Sequence, residues 1–371
     1  MPSPTCPDIA YLVHDVDDAS VLRRTEAFER GGASVEVIGF RRREEGSSSD
    51  ARRSHVIGRS HDARLAQRAG LVLTQWLRPS PELGVARAAP AIVARNLEML
   101  LIAARIRRPD QRLIYECLDL HRMLLSPSRT GSLLRRLERR LLQDVDLVIT
   151  SSPAYEREYF RARQHHGGPV ELIENKVMSL PSHSATPSKR WQAVRRIGWF
   201  GMLRCRESFA MLREMVGRHP DLEVVIAGRP SPAVFDDLEA DVSAVERMSF
   251  KGSYRPADLP KLYAGVDFAW CIDFYEVGLN SNWLLPNRLY ESLAHGSVPV
   301  ALASVETGRW LLDRQIGVVV DDPASIGPRL ATMGSLRLEQ MRQRVLSLPT
   351  DAVAFDETAH RSLVARVLQT G

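Results

Sequence analysis

The chain has 371 residues, of which 44% are apolar and 26% charged, and this composition excludes a largely disordered or fibrous protein. Its length predicts two domains. Four cysteines lie far apart without a CxxC pair, which excludes a disulfide framework or a zinc ribbon and favours a reducing compartment. No apolar run reaches the roughly 18–20 residues of a membrane span, and residues 1–8 lack the order of a signal peptide. We therefore expect a cytosolic protein.

The positive charge lies in the first half of the chain. Residues 1–185 hold 28 Lys and Arg against 23 Asp and Glu, so this half carries the whole net charge of +5. Such an excess permits a weak attraction to anionic lipid or phosphate. A nucleic-acid binder is not expected, because no RNP-like or helix-turn-helix pattern accompanies the modest charge.

Short apolar segments alternate with helical ones along the first half. A helix is predicted over 21–30, closed by two glycines, and the polar segment 41–53 is predicted to be a loop. Strands separated by helices predict a parallel sheet covered on both faces. The strands of the first half are predicted at 9–13, 34–39, 70–74, 112–116 and 146–150.

The alternation resumes after 181–189, a segment rich in Pro and Ser that is predicted to be a linker. The strands of the second half are predicted at 196–200, 222–227, 266–271, 298–302 and 317–320, and a last helix at about 350–369. We therefore predict an α/β protein with two doubly wound domains, 1–183 and 190–349, and a terminal helix within 350–371.

A glycine-rich segment, IGWFGMLRCR, follows the start of the second half. We expect a strand to end in a turn at Gly198 and Gly201, and a helix to begin near Ser208. Glycine lets a ligand approach the backbone, and the start of a helix presents free N–H groups to an anion. Arg204 and Arg206 would add charge-assisted contacts to a diphosphate. The alternative is a plain strand–turn–helix with two solvated arginines.

Polar residues crowd the start of another predicted helix, 287–294, which Pro286 can open. Asn287 and Arg288 lie in its first turn, at the positive end of the helix dipole. Glu291 is one turn further on, on the same face as Asn287. An acid there can accept hydrogen bonds from two ribose hydroxyls. The alternative is a capped helix with a surface glutamate.

At these residues the chain resembles a known family. The segment 291–300, ESLAHGSVPV, resembles the E-x-L-A-x-G-x-P-V segment of retaining glycosyltransferases with the GT-B fold, the large family 4. The segment 197–201 resembles that family's glycine turn. Tyr263 and Asp267 resemble its "Y…aD" step, and 141–152, LLQDVDLVITSS, resembles the strand before its interdomain crossover.

The resemblance implies two Rossmann-like domains facing a cleft, with the last helix packed back on the first domain. It implies a UDP- or GDP-sugar donor in the C-terminal domain, transfer with retention of configuration, and no metal. Glu291 would bind the ribose. Gly201 and Arg204 would bind the diphosphate, and Asn287 and Arg288 the phosphate or sugar. The family often has a second glutamate eight positions before this one, where this chain has Trp283; Asn282 or Asn280 could supply a neutral substitute.

The segment 115–121, YECLDLH, resembles the family's Y-D-x-H-D loop on the acceptor side. Asp119 matches the final Asp and Glu116 the first, whereas Leu118 stands at the histidine position and His121 could take its role. An acid or imidazole at the end of a strand could orient or deprotonate an acceptor hydroxyl. The equal alternative is that Asp119 caps a helix at His121.

Two further patterns have structural alternatives. The D-x-D sequences at Asp15 and Asp144 match the metal motif of another glycosyltransferase fold, but neither has that fold's context, and no metal site is expected. The segment 133–142 is an arginine-rich amphipathic helix that could lie on an anionic membrane at its cytoplasmic face, or be an ordinary half-buried helix.

The sequence and this resemblance therefore predict a glycosyltransferase of surface polysaccharide or glycoconjugate synthesis, acting on a saccharide or lipid-linked acceptor. A nucleotide-sugar 2-epimerase and a non-catalytic sugar-nucleotide-binding protein are the alternatives.

Overall fold

The computed structural model describes residues 6–41, 54–59, 65–181 and 194–369. They form two compact units, the first made of Met1–Glu174 and Phe355–Gly371 and the second of Asn175–Ala354. The predicted polar loop and the predicted linker lie outside the described residues, except for Arg41 and Pro181. None of the helices in these ranges is long and apolar enough to cross a bilayer.

The first unit is built on a parallel sheet of seven strands. The strands are β1 (Ile9–Val13), β2 (Val35–Arg41), β3 (Ser54–Arg59), β4 (Ala91–Arg95), β5 (Arg112–Cys117), β6 (Leu147–Thr150) and β7 (Val170–Leu172). Their order in the sheet is β3-β2-β1-β4-β5-β6-β7. This order reverses between β1 and β4, as in doubly wound folds.

Helices connect these strands. They are α1 (Ala19–Arg30), α2 (Leu65–Leu77), α3 (Gly84–Ala88), α4 (Asn96–Ile106), α5 (Arg122–Leu125) and α6 (Arg129–Leu142), with a 3-10 helix at Pro81–Leu83 and a π-helix at Tyr155–Arg161. The predicted strand at 70–74 is wrong, because this stretch lies inside α2. Its buried side chains, Val72 and Gln75, are three residues apart, which is the spacing of a helix face. Strands β3, β4 and β7 were not predicted from the sequence.

The second unit has a parallel sheet of six strands. The strands are β8 (Arg195–Leu203), β9 (Leu222–Pro230), β10 (Met248–Phe250), β11 (Phe268–Trp270), β12 (Val298–Leu302) and β13 (Val318–Val320). Their order in the sheet is β10-β9-β8-β11-β12-β13. Successive residues of β8 face opposite cores: Trp199 packs on one face of the sheet and Phe200 on the other. Here the three-residue β10 was not predicted.

The helices of the second unit are α7 (Arg206–Arg218), α8 (Leu238–Ser243), α9 (Leu259–Ala264), α10 (Asn287–Ala294), α11 (Glu306–Asp313), α12 (Ile326–Ala331), α13 (Ser335–Leu346) and α14 (Thr350–Val353), with 3-10 helices at Pro256–Asp258, Asn280–Asn282 and Pro323–Ser325. The helix predicted at 287–294 is confirmed to the residue as α10, although Pro286 precedes its first residue.

The last predicted helix is divided into two. After α14 the chain is extended around Ala354, where it pairs with Val177 within the second unit. It then forms α15 (Glu357–Leu368), which belongs to the first unit and packs against α1. The contact is close, because a Cβ added at Gly31 would lie 2.4 Å from the carbonyl oxygen of His360.

Candidate functional site

The strand order of the second unit reverses between β8 and β11. Doubly wound sheets bind ligands at the carboxyl ends of the strands beside such a reversal. Arg204 follows β8 directly, and Asp273 lies three residues after β11. The segments after these two strands therefore form the candidate ligand site.

Gly201 lies inside β8, which continues to Leu203, so the predicted end of the strand at this glycine is wrong. Its φ is +114°, and its partner Gly228 on β9 has a φ of +140°. A Cβ at Gly228 would lie 1.8 Å from the carbonyl oxygen of Gly201, whereas a Cβ at Gly201 would meet no heavy atom of the described chain within 4 Å. Both conformations favour glycine. The backbone at Gly201 is therefore open to close approach by a ligand.

Arg204 is held by two residues of the segment that follows β11. Its guanidinium lies 3.5 Å from the carboxylate of Asp273 and 5.0 Å from the ring centroid of Tyr275. The Asp273 carboxylate also accepts a 2.9 Å hydrogen bond from the Tyr275 N–H. Ion pairing and cation–π contact therefore orient a cation at the reversal of strand order.

Helix α7 starts at Arg206, earlier than predicted, because the Cys205 thiol caps it. The sulfur accepts from the N–H groups of Ser208 and Phe274, each at 3.3 Å. The Ser208 hydroxyl donates to the carbonyl oxygen of Ile272 at 3.4 Å. Two hydrogen bonds therefore join the start of α7 to the segment after β11.

Arg206 has different partners from Arg204. It is exposed, donates to the carbonyl oxygen of Val234, and lies 5.4 Å from the ring centroid of Phe235. The two arginines that the sequence analysis grouped together therefore contact different segments of the unit, after β11 and after β9.

Helix α10 brings the second group of predicted residues to the same end of the sheet. Arg288, in its first turn with Asn287, donates to the carbonyl oxygen of Trp270 at the end of β11, at 3.4 Å. Glu291 lies one turn further along, partly buried. Asn287, Arg288 and Glu291 therefore belong to one helix that contacts the end of β11.

Glu291 has two aromatic neighbours. The hydroxyl of Tyr263 lies 3.3 Å from its Oε2 atom, and the Nδ1 atom of His295 lies 2.7 Å from its backbone oxygen. Burial lowers the pKa of His295. Because a carbonyl oxygen can only accept, Nδ1 carries the proton of this contact. The rings of Tyr263 and His295 stack with centroids 5.4 Å apart.

The two asparagines proposed as substitutes for the family's first glutamate lie in the segment 276–282 before α10, at the ends of its short 3-10 helix. The side-chain oxygen of Asn282 accepts from the N–H of Gly278 at 2.9 Å, and Asn280 is buried. Ser281 likewise accepts from the N–H of Glu276. Side chains of this segment therefore stabilise its own backbone.

In the first unit, Glu116 is fully buried on β5, and this corrects its assignment to catalysis. Its carboxylate accepts from Arg24 Nε at 2.6 Å and from the Tyr11 hydroxyl, and it lies 3.8 Å from Arg95. All three partners are buried too. A carboxylate enclosed in this way cannot touch an acceptor, so we assign Glu116 to the interior of the unit.

Asp119 and His121 lie after β5 and are both exposed. The cap of α5 is His121, whose Nδ1 accepts from the N–H of Met123 at 3.3 Å, so the alternative in which Asp119 caps this helix is wrong. Partial desolvation lowers the pKa of His121, which the nearby Glu98 opposes. A neutral imidazole that accepts at Nδ1 carries its proton on Nε2 and faces other groups as a donor.

The aspartates of the D-x-D sequences have protein partners. Asp15 accepts from the N–H of Asp17 at 3.3 Å, and Asp17 pairs with Arg41 at 3.2 Å. Asp146 accepts from the N–H of Leu113 at 2.7 Å, and Asp144 lies 3.7 Å from Arg107. Within the described ranges, no three His, Cys, Asp or Glu side chains form a metal-binding group.

No protein-family model matches the chain. The succinoglycan biosynthesis protein ExoL of Rhizobium meliloti, however, is 39% identical over 380 residues, which cover 97% of this chain and 93% of that protein. The chain belongs to the ExoL family.

Solved structures resemble this ExoL homologue over nearly its whole length. A sucrose-phosphate synthase from Thermosynechococcus elongatus superposes with a TM-score of 0.70 at 15% identity, over 96% of both chains. Anabaena HepE in complex with UDP-glucose gives 0.68 at 16%, over 98% of this chain and 99% of that one. WaaG, a glycosyltransferase involved in lipopolysaccharide biosynthesis, gives 0.64 at 11%, over 98% and 100%. The predicted α/β class and GT-B fold are confirmed.

Gly201, Arg204, Arg288 and Glu291 stay predictions from the sequence, and Asp273 was not predicted as the partner of Arg204. The sequence places Asp273 after one predicted strand and Arg204 after another. Their pairing could be predicted only with the knowledge that β8 and β11 are neighbours in the sheet.

Proposed function

We propose that this ExoL homologue is a glycosyltransferase that moves a sugar from a UDP- or GDP-sugar to a saccharide or lipid-linked acceptor with retention of configuration. The reaction would serve the synthesis of a surface polysaccharide or glycoconjugate. The name of the ExoL relative and the UDP-glucose bound to HepE support this proposal. The observation that carries it is the convergence of Gly201, Arg204 and helix α10 at the strand-order reversal of the second unit.

On the donor side, the open backbone at Gly201 and the guanidinium of Arg204 would bind the diphosphate. Asn287 and Arg288 would contact the phosphate or sugar at the start of α10, and Glu291 would accept hydrogen bonds from the ribose hydroxyls. Arginine cations and the N–H groups of a helix start stabilise the negative charge that develops on a departing diphosphate. We therefore propose that transfer requires no metal.

On the acceptor side, Asp119 is the carboxylate best placed to orient or deprotonate a hydroxyl, because it is exposed after β5 whereas Glu116 is enclosed. We propose that His121 supports the acceptor as a hydrogen-bond donor, since its Nδ1 atom accepts from the backbone of α5.

A membrane contact at the cytoplasmic face is part of the proposal. Helix α6 exposes a stripe of four side chains at helical spacing: Arg129, Leu133, Arg136 and Arg140. Leu133 is 65% exposed. An apolar residue among cations suits a surface of anionic lipid, which would bring the enzyme to a lipid-linked acceptor. Arg136→Glu should reduce sedimentation with phosphatidylglycerol vesicles, and unchanged sedimentation would refute this contact.

Thermal denaturation against a panel of UDP-, GDP- and other sugar nucleotides tests the donor site. A ligand at 100 times its Kd adds roughly 2.7 kcal/mol of stability, which a melting curve detects. Incubation of the stabilising donor with and without saccharide acceptors then distinguishes the activities. Transfer only with an acceptor supports the proposal, turnover without one indicates an epimerase, and binding without turnover across the acceptors indicates a non-catalytic protein.

A further inference from the structure

Tyr263 lies beneath the glutamate of the proposed donor site. Its hydroxyl is 3.3 Å from Glu291 Oε2 and 3.5 Å from the carbonyl oxygen of Arg288. The ring is 1% exposed, and it is held edge-on by Phe200 at 5.1 Å and by the stacked imidazole of His295. This packing restricts rotation of the side chain and keeps the hydroxyl next to Glu291.

In this contact the Tyr263 hydroxyl is the donor and the Glu291 carboxylate is the acceptor. Burial raises the pKa of Tyr263 well above its usual value, and the Glu291 carboxylate raises it further, so the hydroxyl keeps its proton and donates. A carboxylate has about four lone-pair sites, so the bond from Tyr263 leaves it able to accept from a ligand as well. Glu291 is also fixed through its backbone oxygen by His295.

We propose that Tyr263 is a positioning residue, whose hydroxyl fixes the Glu291 carboxylate in the orientation that accepts the ribose hydroxyls of a nucleoside diphosphate. This inference rests on the proposed function and adds a residue that acts through Glu291 without touching the donor. A carboxylate that is oriented before binding loses less conformational entropy when the nucleotide arrives.

The test compares ribose with deoxyribose. UDP, GDP and their 2′-deoxy forms are titrated by calorimetry into the wild-type protein and the Tyr263→Phe variant. We expect the wild type to bind one ribonucleotide at least about 10-fold more tightly than its 2′-deoxy form, the scale of a hydrogen bond to a charged group. In the variant this preference should fall below about 3-fold, and with a sugar-nucleotide donor KM should rise while kcat stays near the wild-type value.

Tyr115→Phe is the matched control. The Tyr115 hydroxyl donates to Glu138 at 2.7 Å in the first unit, and both residues are buried. This variant also loses a buried tyrosine–glutamate hydrogen bond, so it reproduces a general loss of stability. It should keep the full preference for ribose. Melting temperatures of both variants show that the compared proteins are folded.

A second measurement uses Glu291→Ala, which removes the side-chain acceptor of the Tyr263 hydroxyl. Adding Tyr263→Phe to this variant should weaken nucleotide binding no further, because Tyr263 acts through the carboxylate. An unchanged ribose preference in Tyr263→Phe, or equal additive losses in the double variant, would overturn the positioning role. If neither ribonucleotide bound the wild type, the proposed donor site itself would fail, and the inference with it. Binding without any ribose preference would reject Glu291 as the ribose acceptor and Tyr263 as its positioning residue.

Discussion

The carboxylate of Asp273 and the guanidinium of Arg204 form an ion pair that links the ends of two neighbouring strands. Their charged atoms are 3.5 Å apart, and the Asp273 side chain is 5% exposed whereas that of Arg204 is 33% exposed. The acid is therefore buried beneath the cation, which keeps one side towards solvent. This arrangement orients the Arg204 guanidinium and leaves it accessible to a ligand from solvent.

Asp273→Asn should weaken nucleotide diphosphate binding by about 3- to 10-fold, because an amide holds the guanidinium less firmly than a carboxylate does. Calorimetry with the diphosphate measures this effect. Asp322→Asn, an exposed substitution at another helix start of the same unit, is the control and should bind normally. Equal affinity of Asp273→Asn and wild type would show that Asp273 does not orient a diphosphate-binding arginine.

Glu291→Ala should weaken donor binding by roughly 1–3 kcal/mol without unfolding the protein, since it removes a charged acceptor of hydrogen bonds. The affinity is measured by titration and the fold by thermal denaturation. Glu223→Ala serves as the control, because Glu223 is a partly exposed glutamate of the same unit that pairs with Arg196. An unchanged nucleotide affinity in Glu291→Ala would refute its role.

Asp119→Asn should lower turnover by about 10²–10⁴ while donor affinity stays within a few-fold of wild type. Asparagine keeps the volume and removes the charge, and Asp119 is in the first unit whereas the proposed donor contacts are in the second. Steady-state rates and calorimetry separate the two effects. If the rate is preserved, the acceptor hydroxyl is activated by another group, and His121 is the next residue to change.

Glu116→Gln should destabilise the first unit by about 3 kcal/mol or more, because Arg24 and Arg95 would then share a buried site without the carboxylate. Denaturant unfolding followed by far-UV circular dichroism measures the loss. Glu158→Gln removes an exposed pair with Arg157 and should change stability by no more than about 0.5 kcal/mol. A stable but inactive Glu116→Gln protein would instead return this residue to the catalytic group.

Sugar transfer should continue in EDTA at its full rate, because Asp15 and Asp17 are engaged with the backbone and with Arg41. The assay compares initial rates with the chelator, without it, and after addition of Mn²⁺ or Mg²⁺. Activity that disappears in EDTA and returns with either ion would establish a metal requirement.

Helices were predicted accurately where the sequence marks both their start and their end. Helix α10 has a proline before it, a glycine after it and an apolar face, and its limits were predicted to the residue. The apolar run at 71–73 has no proline before it and no glycine directly after it, and it is too short for its periodicity to distinguish a strand from a helix. Neighbouring apolar strands such as β4 were missed because they too are short.

The candidate site shows a different limit. The residue types at 201, 204, 288 and 291 indicated nucleotide chemistry because their motifs are local. Glu116 is buried between Arg24, which lies 92 residues earlier in the chain, and Arg95. This contact depends on the order of the strands in the sheet, so it could not be inferred from the spacing of the residues. The same holds for the ion pair of Arg204 with Asp273, which requires that β8 and β11 be adjacent.

The return of α15 to the first unit has a consequence for synthesis on the ribosome. Residues 175–354 form a continuous unit that can fold as soon as it has emerged, whereas the first unit lacks α15 until the segment beyond residue 354 has been translated. Until then the surface of α1 that receives His360 and Val364 is uncovered. A released chain that ends at residue 354 should therefore be cleaved by protease in the first unit and resist cleavage in the second.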